Sequence, residues 1–446
     1  MTTIPEIKVH GSYRRSTVTA VVIANMIGTG VFTSLGFQLL EIRSPVVILA
    51  LWLLGGVIAL CGAMTYAELG AALPRSGGEY NFLSAIYHPV AGFVSGWVSA
   101  TIGFAAPVAL AAMTFSAYAT SSYGAGGNSW LNKGLAVALV ALLSAVHSIS
   151  RRQSGGLQAT FTLLKVAVIV CFCGAALLLA DPQQDLRLLP ENSDLGLLAS
   201  GAFAVSLIYV SYAYSGWNAA TYLSSELENP QRDLPRILFT GTAVVTCLYV
   251  ALNFVFLKVA PMNALEGQVE VGYIAAHAAF GPAGGRFTGL ALALLLVSTV
   301  SAMTLAGPRV LQVIGEDFAL LKLLARTNAD DLPYVAIILQ STLAVAFILT
   351  SSFESILVFA GFTLALNSFV TVLGVFVLRF RQPDLARPYR TFGYPITPLI
   401  FLLVMGWTLA FVLFSKPVEA LFGLLIIASG ALFYWLATRA ASTTPA

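Results

Sequence analysis

Charged side chains are scarce in this sequence. Asp, Glu, Lys and Arg make up 10% of its 446 residues, whereas 58% of the residues are hydrophobic, and the mean hydropathy is +0.85. A soluble domain carries roughly 25% charged residues because its surface must face water. The composition therefore excludes an ordinary soluble domain and predicts a chain that crosses a membrane many times.

Histidine and cysteine are equally rare, with four residues of each. The histidines form no H-E-x-x-H pattern or similar cluster, which a membrane-embedded metalloenzyme would need. The cysteines lie within apolar runs without C-x-x-C spacing, and we interpret them as small core residues. We therefore predict no catalytic residue, no metal and no cofactor. The net charge of +3 gives no reason to expect a nucleic-acid partner.

The charges cluster between apolar runs of about 20 residues, the length that an α-helix needs to span hydrocarbon. Twelve such runs occupy residues 16–40, 45–69, 88–120, 134–150, 154–180, 196–225, 236–259, 287–315, 332–352, 354–379, 394–415 and 417–438. The sequence thus predicts an all-α membrane protein with 12 transmembrane helices, forming a single transporter-sized domain over residues 1–446.

An even number of spans puts both termini on the same side of the membrane. Placing them in the cytoplasm puts most of the 23 lysines and arginines in cytoplasmic loops or at the inner rim, as the positive-inside rule requires. No cleavable signal peptide is expected, because residues 1–15 are polar and the first apolar run is too long. We predict a multi-pass protein of the cell membrane, such as a bacterial inner membrane, with cytoplasmic termini.

Two of the apolar runs carry helix-breaking residues at their centres. The first contains Gly28 and Gly30 in the stretch MIGTGVF, and the sixth contains Ser215 and Gly216 in the stretch SYAYSGWN. Closely spaced small residues also mark helix packing. An unwound turn within a bilayer survives only where other groups bond its free N–H and C=O groups, and a zwitterion can do so, with its carboxylate at a half-helix N-terminus.

The two interrupted runs are five runs apart, which suggests an internal repeat. Residues 15–180 would form one five-helix repeat and residues 196–380 a second of opposite orientation, with two further helices at 394–438. Paired interruptions in corresponding positions of two halves indicate the binding site of a secondary transporter. An ion channel would instead require a pore lined by charges or carbonyls.

Several ordered motifs resemble the amino acid–polyamine–organocation transporters, and within them the sodium-independent amino-acid permeases. IGTGVF (27–32) is similar to the family's G-S-G-I-F signature in the first helix, and AELGAALPRSGGEYNFL (67–83) to its loop after the second helix. YAYSGWN (212–218) resembles its sixth helix, and RPYRTFGYP (387–395) the stretch before its eleventh helix. The resemblance covers nearly the whole chain and implies a LeuT-like fold.

The resemblance also implies a substrate site built from Ile27, Gly28, Thr29, Gly30, Tyr212, Ala213, Ser215 and Asn218. The backbone N–H groups of Thr29 and Gly30 would hold the substrate carboxylate. Carbonyls around Ile27, Tyr212 and Ser215 would accept hydrogen bonds from the amino group of the substrate. Tyr212 occupies the position of the gating aromatic residue. Asn218 lies close enough to the break either to contact substrate or to bond the unwound backbone.

Lys165 stands near the middle of the fifth apolar run, where an ammonium group is costly and by default functional. By position it matches the fifth-helix lysine of sodium-independent members, whose ammonium replaces a sodium ion. Its expected contacts are the carbonyls of residues 27–30 and a hydroxyl of Ser298, Thr299 or Ser301, and we favour Ser298 and Ser301 as its site partners. The alternative is that Lys165 reaches the membrane interface.

Other polar residues are assigned to the cytoplasmic gates. Glu68 and Glu226 are predicted to anchor loops beside Arg75, Arg232 or Arg236 rather than to bind substrate. Gly103, Ala105, Ala106, Ser301 and Met303 are expected around the substrate side chain. Because no carboxylate is obviously placed for a cationic side chain, a small or medium neutral L-amino acid is the expected substrate.

The resemblance implies transport by alternating access, either as exchange or as proton symport, and both are compatible with Lys165. A cationic amino acid or polyamine antiporter, or a substrate sensor on the same fold, remains an alternative. The expected partners are an amino-acid substrate and membrane lipid. No cysteine in the second external loop suggests a disulfide-linked partner, so no obligatory protein partner is predicted.

Overall fold

The fold is helical throughout the described part of the chain. In a computed structural model, residues 14–75, 77–125, 127–149, 155–180 and 186–442 are described, with only the backbone for residues 155–159, 225–226, 319 and 440–442. Among these residues, ten helices are long and apolar enough to cross a membrane, or up to eleven if one bent pair is a single span. The prediction of an all-α membrane protein is confirmed, and the count of 12 stays a prediction.

The helices of the first half are α1 (Arg15–Met26), α2 (Gly30–Gln38), α3 (Pro45–Ala72), α4 (Glu79–Ile86), α5 (Pro89–Val98), α6 (Ala105–Ser122), α7 (Ser129–Ile149) and α8 (Gly155–Leu179). The first span consists of α1 and α2 with a break between them. A π-helical segment joins α5 to α6 within the third span. The boundary predicted between the fourth and fifth runs, and both termini, lie outside the described residues.

The helices of the second half are α9 (Asn192–Leu198), α10 (Gly201–Tyr214), α11 (Pro230–Val259), α12 (Met262–Leu265), α13 (Val271–Asp317), α14 (Tyr334–Thr350), α15 (Phe353–Arg381), α16 (Ile396–Ser415) and α17 (Pro417–Ser442). The bent pair is formed by α9 and α10, which meet at 64°. Two 3-10 segments, Ala219–Glu226 and Ala319–Ala325, follow α10 and α13.

Polar residues and prolines set where several of these helices begin. Ser44, Ser200 and Ser352 precede α3, α10 and α15, and each hydroxyl accepts a hydrogen bond from a backbone N–H in the first turn. Such caps satisfy one of the N–H groups that a helix start leaves without a partner. Pro45 and Pro89 occupy the first helical position, where a missing N–H costs nothing.

Several helices differ from their predicted bounds, among them α13 and α14. The eighth run was predicted at 287–315, but α13 begins at Val271 and is kinked at Gly281, whose φ of 71° favours glycine. Residues 271–280 therefore form a short separate helix that precedes the membrane span. The ninth run corresponds to α14, which has 17 residues and is short for a full span.

The interrupted helices lie inside the bundle. α1 packs against α11 and α8, and α10 packs against α15, α16, α3 and α2. In the most apolar window of the first span 67% of the residues are buried, whereas α7 and α17 have only 22% buried and lie at the periphery. Because protein surrounds the breaks, their backbone groups are shielded from lipid, as an unwound turn at membrane depth requires.

Candidate functional site

The first helix break covers Ile27 to Thr29. α1 ends at Met26 and α2 begins at Gly30, and the break contains a tight turn in which Gly28 N–H donates to the Met26 carbonyl at 2.8 Å. The interruption predicted at Gly28 to Gly30 is therefore present. No hydrogen bond among the described residues is donated by the N–H of Thr29 or Gly30, as expected for the start of a half-helix.

The second helix break follows Tyr214, where α10 ends. Ser215 adopts an extended conformation with ψ of 148°, and Gly216 has φ of 97°, which a side chain would disfavour. A Cβ atom on Gly216 would also lie 2.9 Å from the backbone of Asn25 in α1. Gly216 is therefore needed both for its own conformation and for the close approach of the two helices.

The two breaks contact each other directly. A Cβ atom on Gly30 would stand 2.5 Å from the Cα of Ala213, whereas one on Gly28 would have no atom nearer than Met26 O at 4.0 Å. The two glycines of the signature thus have different roles. Gly30 permits backbone contact between the breaks, and Gly28 borders open space.

Tyr249 in α11 bridges the two breaks. Its buried hydroxyl lies 2.5 Å from the carbonyl oxygen of Met26 and 3.1 Å from that of Ala213. These carbonyls lie at the C-terminal ends of half-helices, where backbone acceptors lack intrahelical partners. One tyrosine hydroxyl therefore supports both ends and fixes their separation, a role that sequence reasoning missed because nothing local to residue 249 points to either break.

A Tyr249→Phe variant should raise the KM for substrate roughly fivefold or more. The ring packing remains, but the carbonyl of Ala213 loses its shared donor and that of Met26 keeps the N–H of Gly28, and leaving a buried acceptor unsatisfied costs about 1–3 kcal/mol. Tyr118→Phe is the matched control, because its equally buried hydroxyl bonds Phe32 O in α2 and Gly272 N in α13 and does not join the two breaks. Concentration-dependent uptake by both variants in vesicles measures the effect, and equal KM changes would contradict the bridging role.

A cavity of about 350 Å³ lies at the junction of the breaks. Of the predicted substrate-site residues, those that line it are Gly28, Thr29, Gly30, Tyr212, Ala213, Ser215 and Asn218. Ile27 lies behind the cavity, with its side chain buried. A cavity of this size, bordered by unpaired N–H groups and helix ends, can hold a small zwitterion.

Some of the residues expected around the substrate side chain line the cavity, and others do not. Gly103 and Met303 line the cavity, and Phe104 and Pro107 line it where Ala105 and Ala106 were expected. The π-helical segment Ser99–Gly103 explains this change, because the extra residue in its turn shifts the register of the following helix. The sequence carries no clear signal for such a segment.

Lys165 lies buried in α8, with 5% of its surface exposed. Its ammonium donates to the carbonyl of Ile27 at 3.1 Å and to the hydroxyl of Thr299 at 2.9 Å. Thr299, on α13, lines the cavity. Lys165 therefore joins α8, the first break and α13, and the alternative in which it reaches the membrane interface does not hold.

Lys165 bonds Thr299 on α13, whereas Ser298 and Ser301 have other partners. The Ser298 hydroxyl donates to Leu295 O within its own helix, and the Ser301 hydroxyl pairs with the His147 imidazole at 2.9 Å. Ser298 and Ser301 were the favoured partners, but Thr299 makes the contact because its position in the helical turn faces the first break. Sequence reasoning named Thr299 as an alternative but could not fix the rotation of α13.

Asn218 bonds a carboxylate rather than the unwound backbone. Its amide donates to Glu79 Oε1, which also accepts from the Tyr66 hydroxyl at 3.1 Å, and the Tyr222 hydroxyl donates to Glu79 Oε2. Glu79 is buried and lines the cavity. A carboxylate that the sequence did not obviously place at the site therefore lines the cavity, because the start of α4 meets the segment after the second break.

The start of α4 is also fixed to α13. The Tyr80 hydroxyl donates to Asp317 Oδ2 at 2.9 Å. Burial, followed by the hydrogen bond and the charge of Asp317, raises the pKa of Tyr80 to about 12. Tyr80 therefore stays a hydrogen-bond donor at physiological pH. Titration of Tyr80 does not alter the position of the neighbouring Glu79.

Glu68 anchors the RPYRTFGYP segment. Its carboxylate accepts two bonds from Arg379, at 2.8 and 2.7 Å, and two from the N–H and hydroxyl of Thr391, at 2.7 and 2.6 Å. Arg387 lies 3.6 Å away. The anchoring role is as predicted but the partners are not, because Arg379 and Arg387 replace the expected arginines. The side chain of Glu226 lies outside the described residues.

A Glu68→Gln variant should unfold at a markedly lower temperature. Removing one partner of a buried ion pair costs about 3–5 kcal/mol, since the remaining charges are left without compensation. Glu316→Gln is the control, because Glu316 is exposed and accepts a hydrogen bond from the neutral Gln312. Thermal unfolding in detergent measures the difference. An equal Tm for the two variants would show that Glu68 does not anchor the segment.

Comparisons with known proteins find relatives along nearly the whole chain. The family model described as amino acid permease matches residues 14–437. The b(0,+)-type amino acid transporter 1 of Homo sapiens is 28% identical over 422 residues, covering 94% of this chain and 86% of the relative. The large neutral amino acids transporter small subunit 2 of Mus musculus is 30% identical over 436 residues, covering 93% and 79%.

A bacterial relative is similar over nearly its full length. The serine/threonine exchanger SteT of Bacillus subtilis is 28% identical over 429 residues, covering 94% of this chain and 95% of the relative. The family and these relatives are transporters, not enzymes. With two helix breaks meeting at an internal cavity, the chain is a multi-pass membrane transporter of amino acids that belongs to the amino acid permease family of the amino acid–polyamine–organocation superfamily.

Proposed function

We propose that this transporter exchanges neutral L-amino acids across the cell membrane without sodium, by alternating access at the cavity between the two breaks. The observation that carries the proposal is the meeting of two half-helix ends around one cavity, with a buried lysine behind it. A closed central site of this kind fits a transporter that exposes its substrate to one side at a time.

The substrate carboxylate would bind the N–H groups of Thr29 and Gly30. These groups have no partner among the described hydrogen bonds, and they begin α2, whose dipole favours an anion. The substrate amino group would donate to carbonyls of Ile27, Tyr212 and Ser215. A carbonyl oxygen can accept two hydrogen bonds, so the existing bonds to Ile27 and Tyr212 leave room for the ligand.

Lys165 would make sodium unnecessary. Its ammonium donates to Ile27 O and Thr299 Oγ1, which are the kinds of oxygen that a monovalent cation would otherwise coordinate. A fixed positive charge between the first break and α13 supplies the same bridge without an ion. Exchange is favoured over proton symport by the bacterial relative, which is named an exchanger.

A small or medium neutral side chain would fit the cavity. Met303 and Phe104 line it, and Ser215 narrows it at the second break. The relatives named for serine and threonine and for large neutral amino acids also support neutral substrates. Tyr212, which lines the cavity and is buried, would close over the bound substrate from the outer side.

The proposed architecture has 12 spans. Residues 15–180 and 196–380 form two inverted repeats, residues 394–438 supply the last two helices, and the first, second, sixth and seventh spans rock against the rest. Both termini are cytoplasmic. We also propose that the chain works without an obligatory protein partner, although one relative is named a small subunit.

Uptake by purified protein in liposomes tests the proposal. Labelled alanine, serine and leucine are offered to empty vesicles and to vesicles preloaded with the same unlabelled amino acid. Each pair is measured with and without sodium, and at matched or inward-acidic pH. We expect saturable uptake only into preloaded vesicles, unchanged when choline replaces sodium.

Three results would contradict the proposal. Uptake into empty vesicles driven by an inward-acidic pH gradient would identify a proton symporter. Uptake that requires sodium would refute the role given to Lys165. No uptake of any labelled amino acid by folded protein would favour a substrate sensor.

A further inference from the structure

One face of α13 borders the cavity. Thr299, Met303 and Ala306 line it, and their spacing of four and three residues places them on one side of a helix. Thr299 also accepts the hydrogen bond from Lys165. Ser301 follows Thr299 by two residues, so it points about 200° away around the helix. The rotation of α13 about its axis therefore decides which side chains reach Lys165 and the substrate.

A proline interrupts the hydrogen bonding of α13 next to this turn. Pro308 lies inside the helix and has no N–H group, so the carbonyl of Thr304 loses its usual intrahelical donor. Helices commonly bend at such positions. Contacts with neighbouring helices are therefore needed to keep α13 in a single rotation at the cavity.

Two buried polar side chains hold the turn from behind. The imidazole of His147 in α7 pairs with the Ser301 hydroxyl at 2.9 Å. The amide of Gln340 in α14 donates to the carbonyl of Met303 at 3.0 Å. The exposed fraction of His147 is 1% and that of Gln340 is 0%. Burying polar groups so deeply is costly unless they are hydrogen-bonded, and these contacts with α13 offset that cost.

Gln340 is poorly suited to a purely structural role. Its Oε1 atom is buried and has no hydrogen-bond partner among the described residues. A leucine would fill a similar volume without leaving a polar atom unsatisfied. A Cβ atom on Gly307 would overlap Oε1 and would stand 2.6 Å from the Cβ of Phe104, which lines the cavity. The amide therefore packs directly against the turn of α13 that forms the cavity wall together with Phe104.

We propose that Gln340 and His147 are positioning residues that fix the rotation of α13 at the cavity. Held in this way, Met303 faces the substrate and Thr299 faces Lys165. The inference rests on the proposed transport through this cavity, and it adds α7 and α14 to the helices that shape the site. Residues that contact a ligand keep their geometry when hydrogen bonds and packing support them from behind.

Gln340→Leu tests the inference, because it keeps the volume and removes the donor to Met303 O. We expect the KM for leucine in preloaded liposomes to rise fivefold or more, whereas a loss of folded protein would lower only the apparent kcat. Combined with Thr299→Val, its fall in kcat/KM should be smaller than the product of the two single effects, since both changes act through one turn. Ser341→Ala is the matched control, because the Ser341 hydroxyl pairs with Ser144 in α7, and its KM should be unchanged.

His147 provides a second, independent variant. His147→Leu removes the imidazole that pairs with the Ser301 hydroxyl, and it should raise the KM for leucine in the same way. His147→Gln carries an amide that can both donate and accept a hydrogen bond, and it should restore most of the wild-type KM. Equal KM values for the leucine and glutamine variants would show that the hydrogen bond of His147 does not position α13.

Thiol labelling follows the rotation of α13 without transport. Met303→Cys, in a protein whose four native cysteines are replaced by alanine, should react with a small methanethiosulfonate reagent through the cavity. Adding Gln340→Leu should slow this reaction at least threefold, and adding Ser341→Ala should not.

Two results would refute the positioning role and leave the proposed function standing. One is an equal labelling rate with and without Gln340→Leu. The other is an unchanged KM in both Gln340→Leu and His147→Leu. If the wild-type protein exchanged no amino acid, the proposed function would fail, and the labelling rates would still decide whether Gln340 sets the rotation of α13.

Discussion

Replacing Lys165 with alanine is expected to lower the initial rate of amino-acid exchange at least tenfold. The variant removes two charged hydrogen bonds, to Ile27 O and to Thr299 Oγ1, and bonds to a charged group are worth about 1.5–3 kcal/mol each. A loss of about 1.4 kcal/mol already corresponds to a factor of ten. The first break would lose its connection to α13 and with it the geometry that holds a substrate carboxylate.

The matched control is Lys133→Ala. Lys133 donates to Leu349 O at 3.1 Å at an exposed site, so it resembles Lys165 in bonding a carbonyl but lies far from the breaks in the chain. Exchange in preloaded liposomes, with protein amounts normalised by immunoblot, compares the two. Near-normal exchange by Lys165→Ala would refute its role as the bridge between α8, the first break and α13.

A Thr299→Val variant extends the same experiment. It removes the hydroxyl that accepts from Lys165 and keeps the carbonyl contact to Ile27. We expect an intermediate loss of exchange, smaller than that of Lys165→Ala. Ser298→Ala should have little effect, because the Ser298 hydroxyl donates to Leu295 O within its own helix.

The parts of the site that were predicted from sequence are those with a local physical signal. Gly28 and Gly30 mark a break because a glycine pair at the centre of an apolar span weakens the helix there. Lys165 stands out because an ammonium within a span is costly. In each case the unusual residue itself lies in the site, so a single stretch of sequence was enough to find it.

The parts that were missed depend on contacts between distant segments. Tyr249 looks like an ordinary aromatic residue of an apolar helix, yet it lies 223 residues from Met26 and bonds its carbonyl. Glu79 looks like a loop residue, but it meets Asn218 from a separation of 139 residues. Neither the rotation of α13 that selects Thr299 nor the fold of α4 beneath the break is encoded by a local pattern.

The second large effect is expected for Gly30→Ala. The new Cβ would stand 2.5 Å from the Cα and 2.6 Å from the Cβ of Ala213, and since the Cα belongs to the backbone, the breaks must move apart. Inserting one methyl group into a packed site costs about 1–3 kcal/mol. We expect saturable exchange to be lost, together with a lower Tm in detergent.

Gly28→Ala separates packing from substrate binding. Its Cβ would have no neighbour nearer than 4.0 Å, so the Tm should match that of the wild type. Gly28 lines the cavity. Any rise in the KM of this variant would therefore come from a clash between the new methyl group and the substrate, and not from a clash between helices. If Gly30→Ala instead kept both its Tm and its exchange activity, close contact between the two breaks would not be required for transport, and the bridging role of Tyr249 would lose its basis as well.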